Sequence, residues 1–171
     1  TRALQRQRRS SLHADAAAAR LAGLTGLTRS ESHEALRRHL GVCLDLCHAA
    51  VEFEDPAQCL QALAGAGIQV AKIQVTAGLR IPSVTPSVAE SLCGLADAVY
   101  LHQVVERCAG ELLRYVDIED AVSSNAWRAG GSEWRVHFHV PVFLDSLEQF
   151  SSTQSFVREV LALHKRQPAT R

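Results

Sequence analysis

Gly41-Val42-Cys43-Leu44-Asp45-Leu46-Cys47-His48 joins a short apolar run to a carboxylate, with an imidazole three residues further on. Four to eight apolar residues bounded by polar ones suit a buried strand. An ionised aspartate is costly to bury unless a cation or hydrogen-bond donors meet it. At the end of such a strand, Asp45 therefore suits a divalent metal or acid–base chemistry. Asp45 and His48 are an odd number of positions apart, so a continuous strand sends them to opposite faces. Both reach one site only where the chain turns after Leu46, as a barrel strand does on entering its loop. The plainer alternative is that Asp45 caps a turn and His48 is half buried. Active sites of α/β barrels gather at the C-terminal ends of strands, which favours the functional reading.

Outward from this stretch, helices and strands alternate. Thr28 and Glu31 form a T-x-x-E capping box that opens a helix carrying Ala35, Leu36 and Leu40 and stopping at Gly41. The strand 42–47 follows. Asp55 at an N-cap and Pro56 at the first helical position open the next helix, with Ala57, Leu60, Leu63 and Ala64 at helical spacing, closed by Gly65 and Gly67. Residues 68–75 read as a strand. A strand–helix–strand unit with short connections predicts parallel strands. Helices are further expected at 15–22, 87–95, from Asp117 to Val122 and over 145–165, and strands at 99–105, 112–116 and 134–142. Residues 125–133, with Gly130-Gly131, read as a loop. The pattern is α/β.

The strand Val136-His137-Phe138-His139-Val140 places two imidazoles on one face and its apolar residues on the other. Neutral imidazole is a common metal ligand, so His137 and His139 are candidate ligands or acid–base groups, against a structural pair. Lys72 and Gln74 share a face of their strand, where Lys72 suits an anionic substrate or, equally, a salt bridge with an inward acid. His102 is a further candidate, since only one of His102 and Gln103 can face inward. Glu52 is a possible loop contact, and Asp55 is better explained as a cap. No phosphate-cradling glycine loop, G-x-S-x-G elbow or clear Cys–His nucleophile is present.

Composition sets wide limits. Eighteen Lys plus Arg balance eighteen Asp plus Glu over 171 residues, so charge gives no reason to expect nucleic acid or an acidic membrane. Arg2, Arg6, Arg8 and Arg9 read as a solvated helix face or a fragment end. Five cysteines, odd in number and without zinc-finger spacing, fit a reducing cytosol, with those in apolar contexts acting as small hydrophobes. No apolar run is long enough to cross a bilayer. The chain starts at Thr1 and contains no methionine, as expected of an internal piece or a processed segment.

The string from Gly41 to Pro56 resembles that of the EboE family of metabolite traffic proteins. So do Val70 to Val75 with Ala77-Gly78-Leu79-Arg80, Tyr100 to Arg107, and Trp134 to Phe143. These segments run in order over much of the chain. The resemblance implies the C-terminal part of a xylose-isomerase-like (β/α)8 TIM barrel, related to sugar-phosphate isomerases, epimerases and endonuclease IV. It also implies a cytoplasmic role in moving a secondary-metabolite precursor, with a small-molecule metabolite and other proteins of the same trafficking cluster as partners.

In that superfamily a D-x-x-H at the end of the fifth strand supplies a ligand to a divalent cation (zinc, manganese or magnesium). The resemblance places Asp45 and His48 as metal residues. Lys72, His137 and His139 are then catalytic groups, and Gln74, His102 and Arg80 substrate contacts. The strand of Lys72 becomes the sixth and that of His137 the seventh. Strands four and eight, with their acidic ligands, are expected outside the chain. The implied activity is isomerase- or epimerase-like. The alternatives are a non-catalytic trafficking or binding factor and, with less support, an endonuclease IV-like hydrolase.

Overall fold

The computed structural model describes residues 2–95 and 100–170, with side chains from residue 14 onward. Two helices lead in, α1 (Arg2–Thr25) and α2 (Arg29–His39). The second opens on the expected capping box: the Thr28 side chain accepts from the Glu31 amide, and the Glu31 carboxylate accepts from the Thr28 amide at 2.8 Å. Strand β1 (Gly41–Asp45) follows, then helices α3 (Leu46–Val51) and α4 (Pro56–Gly65), and strand β2 (Gln69–Gln74). β1 and β2 pair in parallel, as a strand–helix–strand unit requires. Gly41 is needed at the start of this pairing. A Cβ there would sit 2.8 Å from both the Ala71 Cβ and the Gln69 carbonyl oxygen.

Beyond β2 the chain builds a different sheet. Its strands are β3 (Ala77–Ile81), β4 (Val104–Cys108), β5 (Glu111–Tyr115), β6 (Glu133–Val140), β7 (Ser146–Leu147) and β8 (Phe150–Ser152). Their order is β5-β4-β6-β3-β8-β7, and every pairing is antiparallel. The strand bearing His137 and His139 is therefore not a parallel neighbour of β2. It is the central strand β6, between β4 and β3. The α/β class holds, and the described strands close no barrel.

Helices α5 (Pro86–Cys93) and α6 (Ile118–Ser124) cover one face of the six-stranded sheet. Ala89, Leu92, Ile118 and Ala121 pack there against Leu79, Ile81, Val104, Trp134 and Val136. Trp127 meets Trp134 edge-on, with ring centroids 6.2 Å apart. Buried Glu106 lies within this layer and accepts from the Tyr115 and Ser132 hydroxyls. Helix α3 lies across the opposite face, over β3 and β6, and α7 (Gln154–Arg166) packs beside it. Leu46, Ala49 and Ala50 meet Ala77, Phe156, Val157 and Val160 in this second core.

Several boundaries depart from the sequence reading. The expected strand 42–47 ends at Asp45, because the carboxylate caps α3 and starts the helix at once. The expected helix 145–165 starts only at Gln154, since residues 146–152 form a hairpin whose second strand pairs with β3. Of the strand expected at 99–105, Val99 lies outside the described residues, and pairing begins at Val104. After α7, Thr170 bridges Val70 in parallel, so the chain returns alongside β2 in the same direction.

Candidate functional site

The site forms where β1 gives way to α3. Asp45 Oδ1 accepts from the Cys47 amide at 2.9 Å and from the Thr76 hydroxyl at 2.6 Å, and the His48 amide approaches it at 3.5 Å. Asp45 Oδ2 accepts from Gln74 Nε2 at 3.0 Å and lies 3.4 Å from His48 Nδ1. The Thr76 hydroxyl also accepts from the Cys47 amide at 3.2 Å, tying the end of β2 to the first turn of α3. Burial by itself would raise the Asp45 pKa. The bonds from Thr76, Cys47 and His48 outweigh it and hold the carboxyl below its ordinary value.

Helix α3 brings this strand end onto the six-stranded sheet. Gly78 allows the approach: a Cβ there would stand 3.0 Å from Cys47 Sγ and 3.1 Å from Val51 Cγ2. The odd-numbered face of β6 looks toward α3, while Trp134, Val136, Phe138 and Val140 pack toward the tryptophan layer. His137 meets His48, with ring centroids 4.0 Å apart, and His137 Nε2 lies 3.2 Å from His139 Nε2. Desolvation lowers the His137 pKa, and His48 and His139 add to the shift.

Cys47, fully buried, sits under these rings. Its Sγ and one ring nitrogen from each of His137 and His139 all lie within 4.8 Å of one another. Burial, with the Asp45 charge behind it, pushes the Cys47 thiol up to about 12. Cys47 is not among the site residues expected from the sequence. Its sequence neighbours, Leu46 and His48, do not mark it out, and its partners come from β6.

Asp45, His48, Gln74, His137 and His139 thus converge. The other candidates lie apart from the carboxylate network. Lys72 is exposed on β2 opposite Cys43 and has no ion pair among the described residues. His102 is buried against Phe138, with ring centroids 5.3 Å apart, and its amide donates to Asp117 Oδ1. Its Nδ1 has no hydrogen-bond partner among the described residues and lies 3.9 Å from Asp117 Oδ1.

Arg80 is engaged by Glu133, with Nε 2.9 Å from Oε1. Arg107 and Arg135 bond the same carboxylate, at 2.8 and 3.1 Å. Both guanidinium groups also stack on the Phe53 ring, and Arg135 donates to the Ala50 carbonyl at the end of α3. This arginine cluster anchors the C-terminal end of α3, and Glu52 extends it through Arg114. No helix of the described chain is long and apolar enough to cross a membrane. Compared with protein-family models, curated proteins and solved structures, the chain has no match in any of the three.

Proposed function

We propose that this is an EboE-like domain acting on a small secondary-metabolite precursor by a proton shift of the sugar-phosphate isomerase or epimerase type. The observation that carries the reading is the Asp45–His48 pair at the C-terminal end of a parallel strand. A carboxylate beside Nδ1 orients the ring and leaves Nε2 to take or return a proton at a substrate carbon. The His48 side chain is 56% exposed, open to a bound metabolite. Lys72, two residues from Gln74 on β2, supplies an ammonium for an anionic substituent or a developing oxyanion.

A divalent cation belongs to this reading, since when bound it polarises the carbonyl of a hydroxy-carbonyl substrate. Asp45 does not fit as its ligand. Thr76, Gln74 and the Cys47 amide already donate to its oxygens. Asp45 instead fixes His48.

The architecture inferred with this function is a xylose-isomerase-like barrel of which β1 and β2 are two neighbouring strands. The six-stranded sheet is then an insertion beyond the C-terminal end of β2. The parallel bridge from Thr170 to Val70 supports this, because a further parallel strand would lie there, after α7. His137 and His139 then enter the site from the insertion and not from a seventh barrel strand. The rival reading, a non-catalytic trafficking or binding factor, draws on Val142, Phe143 and Leu144, an exposed apolar run just past His139. An endonuclease would need a basic face, which the balanced charge does not favour.

Incubating the full chain with a panel of phosphorylated aldoses and ketoses in deuterated water, and following carbon-bound hydrogen by NMR, tests the proposal. Solvent deuterium should enter a substrate carbon, and His48→Gln and Asp45→Asn should stop it. Tight metabolite binding without exchange in the unaltered protein would favour the trafficking factor.

A further inference from the structure

We propose that Cys47, His137 and His139 form a zinc site with three protein ligands and an open fourth position beside His48. The inference rests on the metal-dependent reading above and deepens it, giving the ion a thiolate and two imidazoles in place of carboxylates.

The ligand spacing is that of a tetrahedral centre. Zinc–nitrogen bonds of about 2.0–2.1 Å place two tetrahedral imidazole nitrogens about 3.3–3.4 Å apart, and His137 Nε2 and His139 Nε2 are 3.2 Å apart. A single N–H···N bond would satisfy that pair alone. It would not explain why a buried thiol faces the same point, with all three ligand atoms inside 4.8 Å. A zinc–sulfur bond of about 2.3 Å calls for a sulfur–nitrogen separation of about 3.6 Å, and with Sγ within 4.8 Å of each nitrogen the thiol has to draw in by no more than about 1.2 Å.

The softness of the donors excludes magnesium and calcium, which take oxygen ligands. Three protein ligands with a vacant position mark a catalytic rather than a structural zinc. The surroundings agree. His139 lies on the exposed side, giving the ion a way in. The His48 ring meets His137 at a tilt, 4.0 Å between centroids, next to the open position, and is held by Asp45. Asp45, bonded to the Cys47 amide, then acts one layer out, as the group that sets the thiolate-bearing turn. Loading the ion releases the thiol proton, because the thiolate is the ligand.

The test is cobalt(II) titration of the full chain, with X-ray absorption on the zinc form. The expected result is one equivalent bound, an intense near-ultraviolet thiolate-to-cobalt charge-transfer band, and one sulfur at about 2.3 Å with nitrogens at about 2.0 Å from zinc. Cys47→Ser should remove the band. His139→Gln, at an exposed position where folding is not in question, should keep the band and weaken binding. Each should cost more than the about 10–100-fold expected on losing a second-layer partner. Asp45→Asn should keep the band and fall within that range. A cobalt complex without a sulfur band, lost in Asp45→Asn and kept in Cys47→Ser, would overturn the thiolate site while leaving a metal-dependent function standing. No cobalt or zinc binding, with deuterium exchange intact, would overturn the site and leave the proton-shift reading without a metal.

Discussion

At Asp45, desolvation and hydrogen bonding pull in opposite directions, and the hydrogen bonds prevail. Because the folded-state pKa is depressed, the carboxylate contributes stability in full above its ordinary value of 3.8, and that contribution is lost as pH falls through the lower folded value. Asp45→Asn keeps the size but turns one acceptor into a donor facing Thr76 or Gln74. The expected cost at neutral pH is about 1–3 kcal/mol by urea unfolding, shrinking as the pH is lowered through the carboxylate range. A cost that does not change with pH would mean the lost charge is not what matters. The local signals at this residue were legible: an aspartate ending an apolar run either caps a turn or serves a site, and here it caps α3. Cys47 was not legible. Between Leu46 and His48 nothing marks this thiol, and only the approach of β6 brings the His137 and His139 imidazoles to it.

At the scale of elements, the contact of α3 with β3 and β6 decides the geometry of the site. Gly78 makes that contact possible, since the atoms around a Cβ there include a sulfur, a carbonyl and a methyl group at 3.0–3.1 Å. Gly78→Val should lift α3 from the sheet, cost about 1–3 kcal/mol in thermal unfolding, and make Cys47 react faster with a thiol reagent in the folded protein. An unchanged Cys47 reaction rate would show that α3 is held mainly from its other end. There, Phe53 adopts a left-handed backbone conformation at φ 58° between the Arg107 and Arg135 guanidinium groups. Caps and periods announced most of these elements: Thr28 with Glu31, Asp55 before Pro56, and the alternation of 134–140. The strand–helix–strand unit announced the parallel pairing of β1 with β2, but the direction of β6 was not announced. A period of two assigns faces but leaves the partner open, and pairing with Ala77–Ile81 is settled by contacts distant in sequence.

Across the whole molecule, two sheets of unequal strength meet at the site. β1 has one hydrogen-bonded neighbour and an irregular register between Val42 and Cys43, whereas β6 has a partner on each side. Amides of β1 should therefore exchange with solvent faster than those of β6 by one or more factors of ten, each worth about 1.4 kcal/mol of local opening. Hydrogen-exchange mass spectrometry checks this, and equal protection would show that the two sheets open as one unit. Zinc addition should narrow the gap, because the ion joins α3 to β6.

The place of β6 between β4 and β3 also sets a chronology. During synthesis Asp45, Cys47 and His48 leave the ribosome well before His137 and His139, and β3 must wait for a strand made much later before its inner edge is paired. Such distant pairing forms slowly, because the intervening loop has to close before any contact rewards it. Until then the thiol and the strand edge are both open to other chains. Refolding should accordingly show a slow step in which burial of Cys47 and joining of the imidazoles to it happen together, and any ion captured at that moment would act as a latch on a finished domain.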